Sequence, residues 1–473
     1  YTAPKSFVTL TNNGTINLSG ANSAGIFAKN GIISNTNNIT VGDSSSGVYG
    51  LNNTEISNTG NITTAGSATA IHYSDVEKDS AGNITAIHNT ATDLRNSGAI
   101  TLNGDDSVAL TYEPGNITST VTFENIGNIS STRDKNVGMF SKLSKNNASY
   151  TTKNTGNITL GNAALLSNPT VGMYTNATSA GTNPLINTGN ITVGNNAVGM
   201  YGYEEDSNGN ITVGNGSIAM YSKGGNVAVA GSVTTGNSNE PVGIYTVGNG
   251  QIITNNGTTF NLGDSSFGFV NVGSGNNITS NGGSATLNND GVFIYSSDKA
   301  NTITNNTNIT GTGSIGKNYG IYASSTVNNS GNINFSNGVG NVGIYMINGA
   351  TGRNTGNITV GASDTSNDLY SIAMAAGYIG DSTTSATTGK IENSGIINVN
   401  GRYGIGMYGA GNGTTVTNNN DIVLNANNTT GIYVESNAKA INNGTIRTGA
   451  SGLSNVNGVV LGGGSTLTNN GTI

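Results

Sequence analysis

The stretch "NTGNITVGNNAVGMYG", residues 187–202, holds two short phrases that return along the whole chain. The first, Asn-Thr-Gly-Asn-Ile-Thr, begins at Asn58, Asn154, Asn187 and Asn354, with variants at Asn96, Asn329, Asn393 and Asn442. The second, a glycine, an aliphatic residue or methionine, then tyrosine, begins at Gly47, Gly172, Gly199, Gly243, Gly320, Gly343, Gly406 and Gly431. The two phrases alternate. Aromatic positions such as Tyr201, Tyr221, Tyr295, Tyr322 and Tyr345, with Val270 in the same slot, recur at roughly 20 to 27 residues, the length of one solenoid turn.

The β-branched Ile, Val and Thr between the corners favour extended backbone. Gly and Asn at the corners tolerate the left-handed conformations that tight turns need. Each coil is therefore expected to hold three short strands: one around Asn-Ile-Thr-Val, one around Gly-Ile-Tyr, and a weaker one such as Thr414–Asn418. Equivalent strands of successive coils would stack in parallel, and parallel crossovers are right-handed. The sequence predicts an all-β, right-handed parallel β-helix of about seventeen coils with three parallel sheets, a rod on the order of 80 Å long. Residues 1–473 read as a single repeat domain, a piece of a longer chain, since the last phrase stops partway through a unit. Corner asparagines would stack into amide ladders. The many Asn-Ile-Thr triplets match the glycosylation sequon, but the repeat itself explains them.

Alternation along a strand places Ile158, Val193, Met200, Ile244, Ile321, Ile344 and Ile432 inside and the paired tyrosines outside. The outward tyrosines would form a ladder, either a brace between rungs or a platform for sugars. Tyr73, Tyr112 and Phe140 are assigned to successive outward slots.

One phrase invites a catalytic reading. Thr40–Tyr49 reads "TVGDSSSGVY", with Gly-Asp-Ser around Ser44. The same frame returns with Asn196, Gly216 and Ser265 in place of Ser44. A nucleophile needs a base oriented by a third group, and only His72 and His88 offer one. Ser44 is expected to be a turn residue without a hydrolytic role.

Charged residues make up 9% of the chain and the net charge is -7, which leaves no basic footprint for nucleic acid or an anionic membrane. No cysteine is present, so disulfides and thiolate metal sites are excluded, and no apolar run reaches the ~20 residues of a membrane helix. No cofactor is implied.

Specificity is expected in segments that depart from the repeat. These are 74–95, with His88 and Arg95; 131–153, with Arg133, Lys135, Lys142, Lys145 and Lys153; 175–184; 203–207, with Glu204 and Glu205; and 363–390. The two histidines lack ligand spacing, and Glu204, Glu205 and Asp206 lack the spacing of a calcium loop, so a metal site is not expected. The basic residues of 131–153 would meet an acidic partner or serve solubility.

These repeats resemble the passenger domains of type Va autotransporters, most closely the large fusobacterial outer-membrane adhesins, whose passengers carry similar Asn-x-Gly-Asn-Ile-Thr-Val-Gly and Gly-Ile-Tyr units. The resemblance runs along essentially the whole chain. It implies a β-helical passenger exposed at the bacterial cell surface and held in the outer membrane by a C-terminal β-barrel that this chain does not include. It also implies attachment to other bacteria and to host cells through a glycan or protein receptor, immune-cell receptors among the candidates. The leading expectation is a non-enzymatic adhesin segment binding through its side loops. An inert spacer is the first alternative. A polysaccharide-active enzyme is the second, weakened by carboxylates that rarely fall in register, Asp105, Asp106 and the Glu204 group being the candidates.

Overall fold

The computed structural model describes residues 7–115, 117, 121–143, 150–181, 183–380 and 385–473. It is an all-β parallel β-helix of about 18 turns, and the described residues contain no helix. The chain divides into two units, 1–231 and 232–473, each built from the same coil. One coil of the first unit shows the plan: Ala197–Gly202, then Glu205–Ser207, then Asn210–Val213, then a turn into Ile218–Ser222. Corresponding strands pair in parallel and in register, Met173 with Met200 and Met200 with Met220, Ile158 with Ile191 and Ile191 with Ile211. In the second unit Ile294, Ile321 and Ile344 stack the same way.

The inward assignment holds. Ile158, Met200, Ile321, Ile344 and Ile432 are fully buried, and Val193 and Ile244 nearly so. Burying each such side chain contributes about 1.5–3 kcal/mol, summed coil by coil. The glycine two residues before each tyrosine is set by close approach. A Cβ on Gly199 would lie 2.6 Å from the carbonyl oxygen of Ala219 and 2.8 Å from Ile211.

The Asn-x-Gly corner is tighter still. A Cβ on Gly189 would sit 1.9 Å from the Gly156 carbonyl oxygen one coil back. Its asparagine turns inward, and the Nδ2 groups of Asn58, Asn96, Asn125 and Asn154 donate to the Oδ1 of Asn96, Asn125, Asn154 and Asn187, at 2.7–2.9 Å. The second unit repeats the ladder from Asn305 through Asn329, Asn354, Asn393 and Asn418 to Asn442. Each amide also donates to the carbonyl two residues on in its own corner, as Asn154 does to Gly156 at 3.0 Å and Asn305 to Thr307 at 3.0 Å. Buried amides are thus paired twice, which removes the cost of taking them from water.

Ser44, Asn196, Gly216 and Ser265 all have left-handed backbones, with φ of 52°, 52°, 61° and 55°. They occupy the same turn position of different coils, and the Ser44 side chain is exposed.

Candidate functional site

The coil has three corners, and insertions use only two of them. Between the second and third strands the connection is two or three residues in every coil, as from Asn187 to Asn190. Longer segments follow the tyrosine strand, from Ser74 to Leu94, Ser141 to Thr151, Thr175 to Leu185 and Ala376 to Gly389. Others precede it, from Leu160 to Thr170 and from Val360 to Ile372. Within each unit the insertions therefore rise on both sides of one face, the face that carries the tyrosines.

On that face the rings stack in register. Phe140 and Tyr174 lie 5.1 Å apart, Tyr201 and Tyr221 4.8 Å, and Tyr322 and Tyr345 5.3 Å with planes 11° apart. Lys223 sits 5.0 Å over the Tyr201 ring, and burial lowers its pKa. In the first unit Leu166 and Pro169 of the preceding insertion join Tyr174, Tyr201 and Tyr221 around a cleft of about 510 Å³.

Two positions of the second unit break the column. Val270 stands between Tyr245 and Tyr295, and Ala375 between Tyr345 and Tyr408. A cleft opens at each, about 480 Å³ at Val270 and about 570 Å³ at Ala375. The Ala375 cleft is lined by Asp368 and Tyr370 of the preceding insertion, Tyr378 of the following one, and Tyr345, Tyr408, Tyr433 and Glu435. Both oxygens of Glu435 accept from phenols, Tyr408 at 2.6 Å and Tyr433 at 3.1 Å. Desolvation, then the Glu435 carboxylate, raises the pKa of both phenols.

The first unit breaks the column differently. His72, not Tyr73, pairs with Tyr49, and Thr111, not Tyr112, pairs with Phe140. Tyr73 and Tyr112 are fully buried and stack 4.9 Å apart, so their assignment to outward slots is corrected. The cause is the frame: Ala70 and Ala109 replace the glycine, and the outward slot falls two residues on. The hydroxyls of the buried pair are satisfied by the insertion, Tyr73 donating to Asp75 at 2.8 Å and Tyr112 to the Thr92 carbonyl at 2.7 Å.

That insertion is an antiparallel hairpin, Val76–Lys78 with Ile84–Ile87. It brings together several sequence-predicted residues. His88 lies 2.9 Å from the Glu77 carboxylate, which also takes Lys29 at 2.7 Å. Hydrogen bonds from Lys29 and Asn52 pull the Glu77 pKa down to about 2. Lys142 and Lys78 reach the buried Glu113 at 3.1 and 3.3 Å. His72 stacks on Tyr49 at 4.8 Å, its Nε2 without a partner among the described residues, and desolvation lowers its pKa to about 4. His72, Glu77, Lys78 and Glu113 line a cleft of about 260 Å³.

The remaining candidates do not join it. Arg95 contacts Asp93 at 3.4 Å, Arg133 bonds the Asn103 carbonyl, Lys135 holds a left-handed turn, and Lys153 pairs with Glu124 at 3.3 Å. Lys145 lies outside the described residues. Glu204 accepts from the Gly181 amide at 2.9 Å. Glu205 belongs to no loop: it lies on the strand Glu205–Ser207, in register with Leu185 and Val227, and is buried. Its pKa is pushed well above the carboxylate range by desolvation, against a weaker pull from Gly202 and Lys223, and neither oxygen has a hydrogen-bond partner among the described residues. Likewise 131–153 contains the coil strand Val137–Ser141 and runs into Thr151–Asn154, and 363–390 contains Ile372–Ala376, so these insertions are shorter than the sequence suggests.

Comparison with known proteins adds one match. Residues 206–436 are similar to the family described as the BigA third pectate lyase-like domain. The match and the solenoid together suit a passenger-like domain of a bacterial surface protein. No curated protein and no solved structure compared with the chain matches it.

Proposed function

We propose that this chain is a segment of a bacterial surface adhesin that holds glycans along its tyrosine face. One observation carries the reading: every long insertion stands at an edge of that face, and the face itself is broken into clefts lined by rings. Tyrosine rings offer sugars a flat apolar surface with a polar tip. The flanking insertions supply side chains that occur once each, which the coils do not. In this reading the ligands are host cell-surface glycans or glycoprotein receptors and the surfaces of other bacteria. The chain would be carried outside the cell by a β-barrel anchor in the outer membrane, as the autotransporter resemblance implies.

The purified chain on a glycan array, beside a variant with Tyr201, Tyr322 and Tyr408 changed to alanine, tests the reading. Binding that the triple variant loses supports it. Binding that persists moves the site off the face, and no binding by the parent favours the spacer.

A polysaccharide-active enzyme is the second reading, favoured by the pectate lyase-like match and by Asp368 and Glu435 lining one cleft. Chain shortening of a bound polysaccharide, lost in Asp368→Asn or Glu435→Gln, would replace adhesion by turnover.

A further inference from the structure

We propose that the gap at Ala375 is a subsite for one pyranose ring of a neutral or amino hexose, seated between Tyr345 and Tyr408 in the place of the missing side chain. The inference rests on the glycan-binding reading above and narrows it.

Rings on adjacent coils of the second unit's column lie 5.3–5.7 Å apart. Ala375 pairs with Tyr345 on one side and Tyr408 on the other. Those two tyrosines are therefore two rungs apart, about 10 Å, and the column residue between them ends in a methyl group. A ring inserted midway would stack on both at the spacing the column already uses. At Val270 the branched side chain fills more of the slot than the Ala375 methyl does, and among the described residues Glu240 is the one charged group lining that cleft.

The rim at Ala375 selects the chemistry. Glu435 and Asp368 both line the cleft, and among the described residues no lysine or arginine does. The Glu435 carboxylate accepts one phenol on each oxygen, which leaves about two further lone-pair sites for hydroxyl or ammonium donors. A flat ring with an apolar C–H face and donor groups around its edge fits both features. A uronate would place a carboxylate beside two carboxylates, so the acidic sugars suggested by a pectate lyase-like fold are disfavoured here. The volume, about 570 Å³, is that of a small-molecule site and exceeds one ring, so the flanking sugars of an oligosaccharide would extend past Tyr370 or Tyr378.

The test uses the whole chain and the neutral, 2-amino and uronate forms of glucose, galactose and mannose, with N-acetyltyrosinamide as a probe for a protein side chain. Saturation-transfer NMR with titration reads the affinities. At least one neutral or amino form should bind, and its uronate should bind about tenfold more weakly. Ala375→Tyr, which restores the column, should reduce that binding about tenfold or more while keeping the melting temperature. Tyr408→Ala, which removes one wall without adding bulk, should weaken it as well. Glu435→Gln should narrow the gap between neutral sugar and uronate. Sugar binding that survives both Ala375→Tyr and Tyr408→Ala would overturn the subsite and leave the wider reading standing. Equal binding of uronates, or binding of N-acetyltyrosinamide alone, would also overturn it. Absence of sugar binding here and on the array would remove both.

Discussion

Two ladders run through each unit, one of asparagine and one of tyrosine, and they differ in what they tolerate. The asparagine ladder is buried. Its slot passes to Ser207, Val229 and Ser280, but from Asn305 to Asn442 it runs without a break, and its corner never grows beyond three residues. The tyrosine ladder is half exposed, gives way to His72, Thr111, Val270 and Ala375, and is flanked by every long insertion. A buried amide that loses its neighbour leaves that neighbour unsatisfied in a medium without water. An exposed ring that is lost exposes its neighbours to solvent, which is cheap. The first ladder builds the solenoid, and the second is free to carry specificity.

The largest break in this comparison should come at the asparagine corner. Gly189→Ala places a methyl group against backbone, not against a side chain that can swing away. It should cost about 3 kcal/mol, read as a lower denaturant midpoint of the first unit. Glu205→Leu should act in the opposite direction. It replaces a buried, unsatisfied carboxyl with the residue type of its rung partner Leu185, and should stabilise by about 1–4 kcal/mol at neutral pH. Because the folded pKa is raised, the carboxyl's penalty grows as pH rises above its unfolded value, so the gain should shrink near pH 4. Asn154→Ala deprives Asn187 of its donor and Asn125 of its acceptor, and should cost about 1–3 kcal/mol. Tyr322→Ala, by contrast, should cost only about 0.5–1.5 kcal/mol, the worth of its ring contacts. A tyrosine cost equal to the asparagine cost would break the distinction.

The effect that is smallest at neutral pH sharpens it. His72 has a folded pKa of about 4 against an ordinary 6.5, so the native state binds fewer protons between those values. Stability should therefore fall as pH drops through that window. His72→Phe, which keeps a ring on Tyr49, should flatten the curve there, measured by melting temperature against pH.

Much of this was legible in the sequence, provided positions are counted from the small residues. The Gly-aliphatic-Tyr and Asn-x-Gly phrases give the coil, the inward faces and the ladders directly. Tyr73 misleads because it is aromatic. Counting from Ala70, the stand-in for glycine, points to His72 instead. Glu205 misleads because it is charged. Counting back from Asn208-Gly209 places Ser207 on the ladder and Glu205 two residues before it, facing in. Ala375 carries the same signal, in Ala373-Met374-Ala375. What the sequence hides is the third dimension of the insertions. Nothing in 74–95 reveals that Glu77 meets Lys29, 48 residues away, or that Lys142 reaches Glu113. Those contacts depend on which corners lie side by side.

The stacking also has a mechanical consequence. The strand hydrogen bonds within a unit run between coils, along the direction of stacking, so tension applied along that direction pulls coils apart one interface at a time. Asn329 and Asn354 are successive rungs 25 residues apart. A coil of that length, drawn out to about 3.4 Å per residue, releases roughly 85 Å of chain where it had occupied about 4.8 Å of stack. Each coil that yields would lengthen the tether nearly twentyfold over its own share and leave its neighbours folded, because each contacts only the next. A cell held by such a segment under flow would be on a rope that lets out slack in steps, with the insertions and clefts of the intact coils still presented.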